Sequence, residues 1–108
     1  MKARLSLGAM IFPLLALPGF AQAESLPGNA WEGHKLAREV CSACHSVEQE
    51  ERGVSAVGAP AFQDVADDPA VTETALRVFF RVPHEGMPDL ILTPTEAEDA
   101  IAYILGLR

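Results

Sequence analysis

The sequence predicts a small all-α domain of three main helices plus one short turn of helix. Apolar residues recur at helical spacing in two stretches, 33–44 and 97–107. Helix-starting and helix-stopping residues bracket those stretches. No stretch alternates apolar and polar residues as a half-buried strand does.

Asn29 is placed to cap the first helix, with Glu32 positioned to return a bond to the cap. The apolar stripe of this helix runs Gly33, Leu36, Ala37, Val40 and Cys44, so it leads straight into Cys41-Ser42-Ala43-Cys44-His45. Trp31 and His34 fall off the stripe, and His34 reads as a surface residue. Gly33 costs helix propensity. It either permits close contact with another helix or is an indifferent surface glycine.

Residues 46–60 show no clear period, and Gly53, Gly58 and Pro60 punctuate them as a loop. Glu48, Glu50 and Glu51 form an acidic cluster there beside Arg52. Residues 61–66 fit one short helical turn, with Phe62 a natural contact for an apolar ring. Asp68-Pro69 reads as cap and first position of a second main helix, reaching about Val82 and stopping before Pro83. A second loop holds His84-Glu85-Gly86-Met87-Pro88. Thr93-Pro94-Thr95-Glu96 opens the last helix with a cap, a proline at the first position and a capping-box Glu. Ala97, Ala100, Ile101, Tyr103, Ile104 and Leu107 supply its buried face, and Gly106 its stop.

Chemistry concentrates in Cys41-Ser42-Ala43-Cys44-His45. Two thiols stand three positions apart, with an imidazole directly after the second. Each thiol can add to a haem vinyl group, and the imidazole can then sit on the iron. This spacing is the signature of c-type haem attachment. A zinc site needs four ligands, and the chain has no second Cys pair and only His34 and His84 besides. A thioredoxin-like dithiol expects a βαβ context, for which no strand is found. A structural disulfide would leave His45 without a purpose.

The N-terminus points to secretion. Lys2 and Arg4 precede a mostly apolar run, residues 5–17, and Ala21-Gln22-Ala23 is a small-x-small cleavage site. Residues 1–23 thus read as a signal peptide, too short in its core to span a bilayer comfortably. The mature domain, residues 24–108, has 85 residues and is marginal on its own apolar burial. A haem bound at both cysteines is the expected staple. Six basic residues and all fifteen acids remain after cleavage, a formal charge of −9. That argues against nucleic acid and anionic membranes as partners and favours a protein with a basic docking patch.

The helix entering Cys41-Ser42-Ala43-Cys44-His45, the Gly58-Ala59-Pro60 segment, and Met87-Pro88 followed by Glu98-Asp99-Ala100-Ile101-Ala102-Tyr103-Ile104 resemble the small bacterial class I cytochromes c. The resemblance spans most of the mature chain. It implies the cytochrome c fold around one covalent haem c, held by thioethers at Cys41 and Cys44. His45 would be the proximal ligand and Met87, the sole methionine left after cleavage, the distal one. Pro60 would offer its carbonyl to the His45 ring. Gly33 and Ala37 would cross the terminal helix near Ala100 and Tyr103. Arg52 and Arg81 are candidate partners for the haem propionates.

A His/Met ligand pair leaves no open position for a substrate, and methionine raises the potential. The expectation is a periplasmic one-electron carrier between a redox donor and acceptor, not an enzyme. One alternative is the cytochrome c subunit of a periplasmic dehydrogenase complex. A second is a haem sensor or peroxidase-like protein, which requires that Met87 not be a ligand. If the haem is the staple, the haem-free mature chain should be molten. Calorimetry should then show no cooperative unfolding above about 50 °C, a usual mesophile midpoint.

Overall fold

The computed structural model describes residues 26–82, 86–87 and 91–108. The expected signal peptide, together with His84 and Pro88, lies outside them. In chain order come α1 (Ala30–Glu39), a single 3₁₀ turn (Cys41–Ala43), α2 (Phe62–Asp67), α3 (Glu73–Phe79) and α4 (Pro94–Leu105). Among the described residues the one sheet-like pairing is an isolated bridge between Val54 and Pro60.

α4 is the element on which α1, α2 and α3 all pack, α1 most extensively. Its start follows the expected signals. Thr93 accepts from the Glu96 N–H at 3.2 Å, and the Glu96 carboxylate accepts from the Thr93 N–H at 2.8 Å, with Pro94 at the first position. Gly106 ends the helix in ordinary right-handed geometry, φ −71°, rather than a left-handed cap. Ala100, Ile101, Ala102 and Ile104 are buried along it, and Ile101 is the largest side chain wholly removed from solvent.

At the α1–α4 crossing the two backbones nearly touch. A Cβ on Gly33 would lie 1.9 Å from the Asp99 carbonyl oxygen and 2.9 Å from Tyr103 Cβ. One on Gly28 would lie 2.1 Å from the Glu98 carbonyl oxygen. Gly33 is therefore the contact glycine, not an indifferent one. Ala37, 1% exposed, continues the same face into the core. Asn29 caps α1 by accepting from the Trp31 and Glu32 N–H groups at 3.0 and 3.4 Å. Glu32 does not return the bond. With α4 this close, the Asn29 N–H donates instead to the Asp99 carboxylate at 2.7 Å.

α1 leads into the motif as expected, but the apolar stripe outlasts it, and one other boundary differs from expectation. α1 ends at Glu39, a 3₁₀ turn carries Cys41–Ala43, and the Ser42 hydroxyl donates to the Arg38 carbonyl at 2.6 Å. A continuing helix would give that acceptor to the Ser42 N–H. α3 does not begin at Pro69. The Asp68 carboxylate accepts from the Ala70 N–H at 2.8 Å and its carbonyl from the Val71 N–H at 3.0 Å, closing a separate turn. Thr72 then caps the helix, accepting from the Ala75 N–H at 3.1 Å. At the far end α3 stops at Phe79, and residues to Val82 form a turn on the Val78 carbonyl.

Side chains complete the frame. Arg77 forks onto Glu98 at 2.6 and 2.9 Å, joining α3 to α4, and its guanidinium also contacts Glu73. The hydrogen bonds from Arg77 hold the Glu98 carboxyl below its usual range. Buried Gln63 accepts from the Glu50 N–H at 3.0 Å and donates to the Leu107 carbonyl at 2.9 Å. Arg52 bridges Asp64 and Asp67 at 3.0 and 2.7 Å, fastening the long loop to α2.

Gly33→Ala should cost ~3 kcal/mol or more, the upper range of overpacking, because the added carbon meets backbone that cannot rotate away. Thermal melts of the mature holoprotein should show Tm lower by at least ~10 °C. An unchanged Tm would mean that the crossing is loose.

Candidate functional site

Cys41, Cys44, His45, Pro60 and Met87 line one cavity of about 530 Å³. Cofactor and small-molecule pockets commonly occupy about 300–1,000 Å³. Val40 and the cysteine motif form one part of the wall. Residues 57–60 form another, followed by Phe62 and Val65 of α2. Val71, Ala75, Leu76, Phe79 and Phe80 bring the α3 region to it, and Ile104 brings α4. Phe62, Leu76 and Ile104 belong at once to this wall and to the buried core.

The backbone explains why both thiols reach one space. After α1 the chain tightens to three residues per turn, so positions i and i+3 fall on the same side. Cys44 and His45 both donate their N–H groups to the Cys41 carbonyl, at 3.1 and 2.9 Å. The imidazole is then oriented from outside the motif. His45 Nδ1 lies 2.7 Å from the Pro60 carbonyl oxygen. Since a carbonyl can only accept, Nδ1 carries the proton of this contact, which leaves Nε2 as the nitrogen for a metal. Phe62 sits tilted against the ring, centroids 5.2 Å apart.

The loop carrying Pro60 is itself held. Ala61 donates to the Gly53 carbonyl at 2.8 Å, and Phe62 to the Ser46 carbonyl at 2.9 Å. Met87, half-buried, follows Gly86, whose φ of +85° is a turn that side chains resist. The described part of that second loop thus turns at glycine and brings a thioether to the cavity.

Burial pushes the Cys41 thiol up from its ordinary value. A reactive dithiol needs the opposite shift. Among the described residues no three His, Cys, Asp or Glu side chains converge as a metal cluster. What converges is two thiols, one oriented imidazole and one thioether on a largely apolar wall. That donor set suits an iron porphyrin anchored at two carbons.

Some candidates fall elsewhere. Arg52 and Arg81 do not line the cavity. Arg52 is spent on Asp64 and Asp67. His34, half-buried, is 2.9 Å from the Glu48 carboxylate and stacked on Tyr103, and takes no part in the wall. Tyr103 is a support that sequence reasoning assigned only to the helix crossing. Its hydroxyl donates to the Val47 carbonyl at 2.6 Å, tying α4 to the chain two residues past His45.

An all-helical chain with paired thiols and an oriented histidine around an apolar cavity is of the covalent haem class. Over 88 residues the sequence is 35% identical to cytochrome c-552 of Bradyrhizobium diazoefficiens, covering 82% of this chain and 84% of that one. The chain belongs to the cytochrome c family. It is an electron-transfer protein carrying covalent haem c, not an enzyme. No protein-family model and no solved structure matches it.

Cys41→Ala and Cys44→Ala should each leave at most one thioether and give poor yield of holoprotein. Acidified organic solvent should extract no haem from the wild-type protein. Complete extraction would show that the attachment is not covalent.

Proposed function

We propose that this chain is a periplasmic single-haem carrier that moves one electron at a time between a donor and an acceptor protein. Cys41 and Cys44 anchor the haem, His45 is its proximal ligand and Met87 its distal ligand. The haem supplies a one-electron iron couple. The protein's residues supply the rest. The Pro60 carbonyl holds the His45 ring in one tautomer and one plane. The apolar wall keeps water from the iron, and a methionine ligand with low polarity around it favours the reduced state.

The observation that carries this reading is that His45 and Met87, 42 positions apart, line the same cavity. With His45 and Met87 both holding the iron, the chain would leave neither oxygen nor substrate a place to bind. Exchange then needs only approach to the cavity mouth, where Val57 and Phe79 are both on the wall and more than half exposed. Export is supported by the basic start, the short apolar run and the Ala21-Gln22-Ala23 site. Among the described residues no helix is long and apolar enough to cross a membrane. The acidic balance of the mature chain suits a partner with a basic docking patch.

Met87→Ala should open the iron to water or added ligands, abolish the long-wavelength ferric band of sulfur ligation and lower the potential substantially. His84→Ala should do none of these. If the His84 variant loses the low-spin spectrum while the Met87 variant keeps its potential, the distal assignment and the carrier reading fall together.

A further inference from the structure

We infer that Asp68 sets the midpoint potential of this cytochrome from the cavity wall, an assignment that rests on the haem reading above. Among the described wall residues Asp68 alone carries a formal charge. Its place is not accidental to a mobile side chain. The carboxylate accepts from the Ala70 N–H at 2.8 Å, and the Asp68 carbonyl accepts from the Val71 N–H at 3.0 Å. This turn leads the chain from α2 into α3, and Ala70 and Val71 line the same wall.

The other acids nearby are compensated. Asp64 and Asp67 face Arg52, and Glu73 and Glu98 face Arg77. Glu48 faces His34 and Arg38. Asp68 has a neutral backbone N–H as its partner and forms no ion pair among the described residues. Oxidation adds one positive charge at the iron. Asp68 is itself exposed, so what sets its carboxylate apart from other surface acids is its place on the cavity wall, and Coulomb attraction grows as the separation between charges falls. Asp68 therefore stabilises the ferric state and pulls down a potential that methionine and the apolar wall push up.

The charge and the turn can be separated by substitution. Asn keeps the side-chain oxygen that closes the turn and removes the charge. Glu keeps the charge and loses the turn geometry. The test is a potentiometric titration of haem-loaded mature protein at neutral pH and low ionic strength, with Glu32→Gln, an exposed acid on α1 away from the wall, as the remote control. Asp68→Asn should raise the midpoint by clearly more than Glu32→Gln, with an unchanged absorption spectrum. Asp68→Glu should stay near the wild-type potential even if its Tm falls. Should Asp68→Asn fail to fold, Asp68→Ser, which also offers a turn-closing oxygen, should show the same rise. Equal shifts in the Asp68 and Glu32 variants, or none, would overturn the inference. Loss of the sulfur-ligation band in the wild type would overturn the haem-ligation reading instead.

Discussion

The rest of the molecule depends on the near-contact of two backbones where Gly33 meets Asp99. An ordinary helix pair is kept 8–10 Å apart by its side chains. Here a Cβ at residue 33 would fall 1.9 Å from a carbonyl oxygen. The absence of that one carbon lets α1 lie on α4 closely enough for Asn29 to bond Asp99 and for Tyr103 to stack on His34. Beyond this crossing α1 ends at Glu39, and Cys41, Cys44 and His45 follow at once. Tyr103 then fixes the chain again just past the motif, through Val47. The cofactor-binding segment is thus held before and after by one helix. Neither attachment uses a residue of the cavity wall, so the frame and the site can be perturbed separately.

What the sequence made legible follows the range of the forces involved. Caps, prolines and the cysteine motif act within four or five residues, and α4 with its Thr93 capping box lies where those signals put it. The haem motif is legible because covalent chemistry needs two thiols and an imidazole at a fixed spacing. The boundaries of α1 and α3 were less legible because two local bonds competed. Ser42 takes an acceptor that would have extended α1, and Asp68 closes a turn where it had been read as a cap. The Asn29–Asp99 and Tyr103–Val47 bonds and the Arg77–Glu98 fork were not legible at all. They join positions 70, 56 and 21 residues apart in the cases of Asn29–Asp99, Tyr103–Val47 and Arg77–Glu98, and no periodicity records such pairs.

The wall shows how a chain this small is organised around something other than itself. Among the described residues Ile101 is the largest side chain that is wholly buried, while Val65, Val71, Phe79 and Phe80 line the cavity. Phe62, Leu76 and Ile104 serve both core and wall. A substitution at any of the three would be felt in stability and in the environment of the cofactor together. His45 escapes this coupling in part, because its orientation comes from a backbone carbonyl, which no side-chain change at position 60 removes directly.

Charge and apolar surface divide the proposed docking by distance. Fifteen acids against six basic residues over positions 24–108 create a negative field that physiological salt screens over ~8 Å. That field can orient a basic partner during approach. At contact the terms change. Arg52 and Arg77 are already committed to acids of this chain, and the large apolar residues both exposed and on the wall are Val40, Val57 and Phe79. Steering by net charge followed by a small apolar contact gives fast arrival without a deep ionic trap. A carrier has to leave its donor as readily as it arrives, and a cavity edge where valine and phenylalanine are exposed and Asp68 is the one described charge meets both demands.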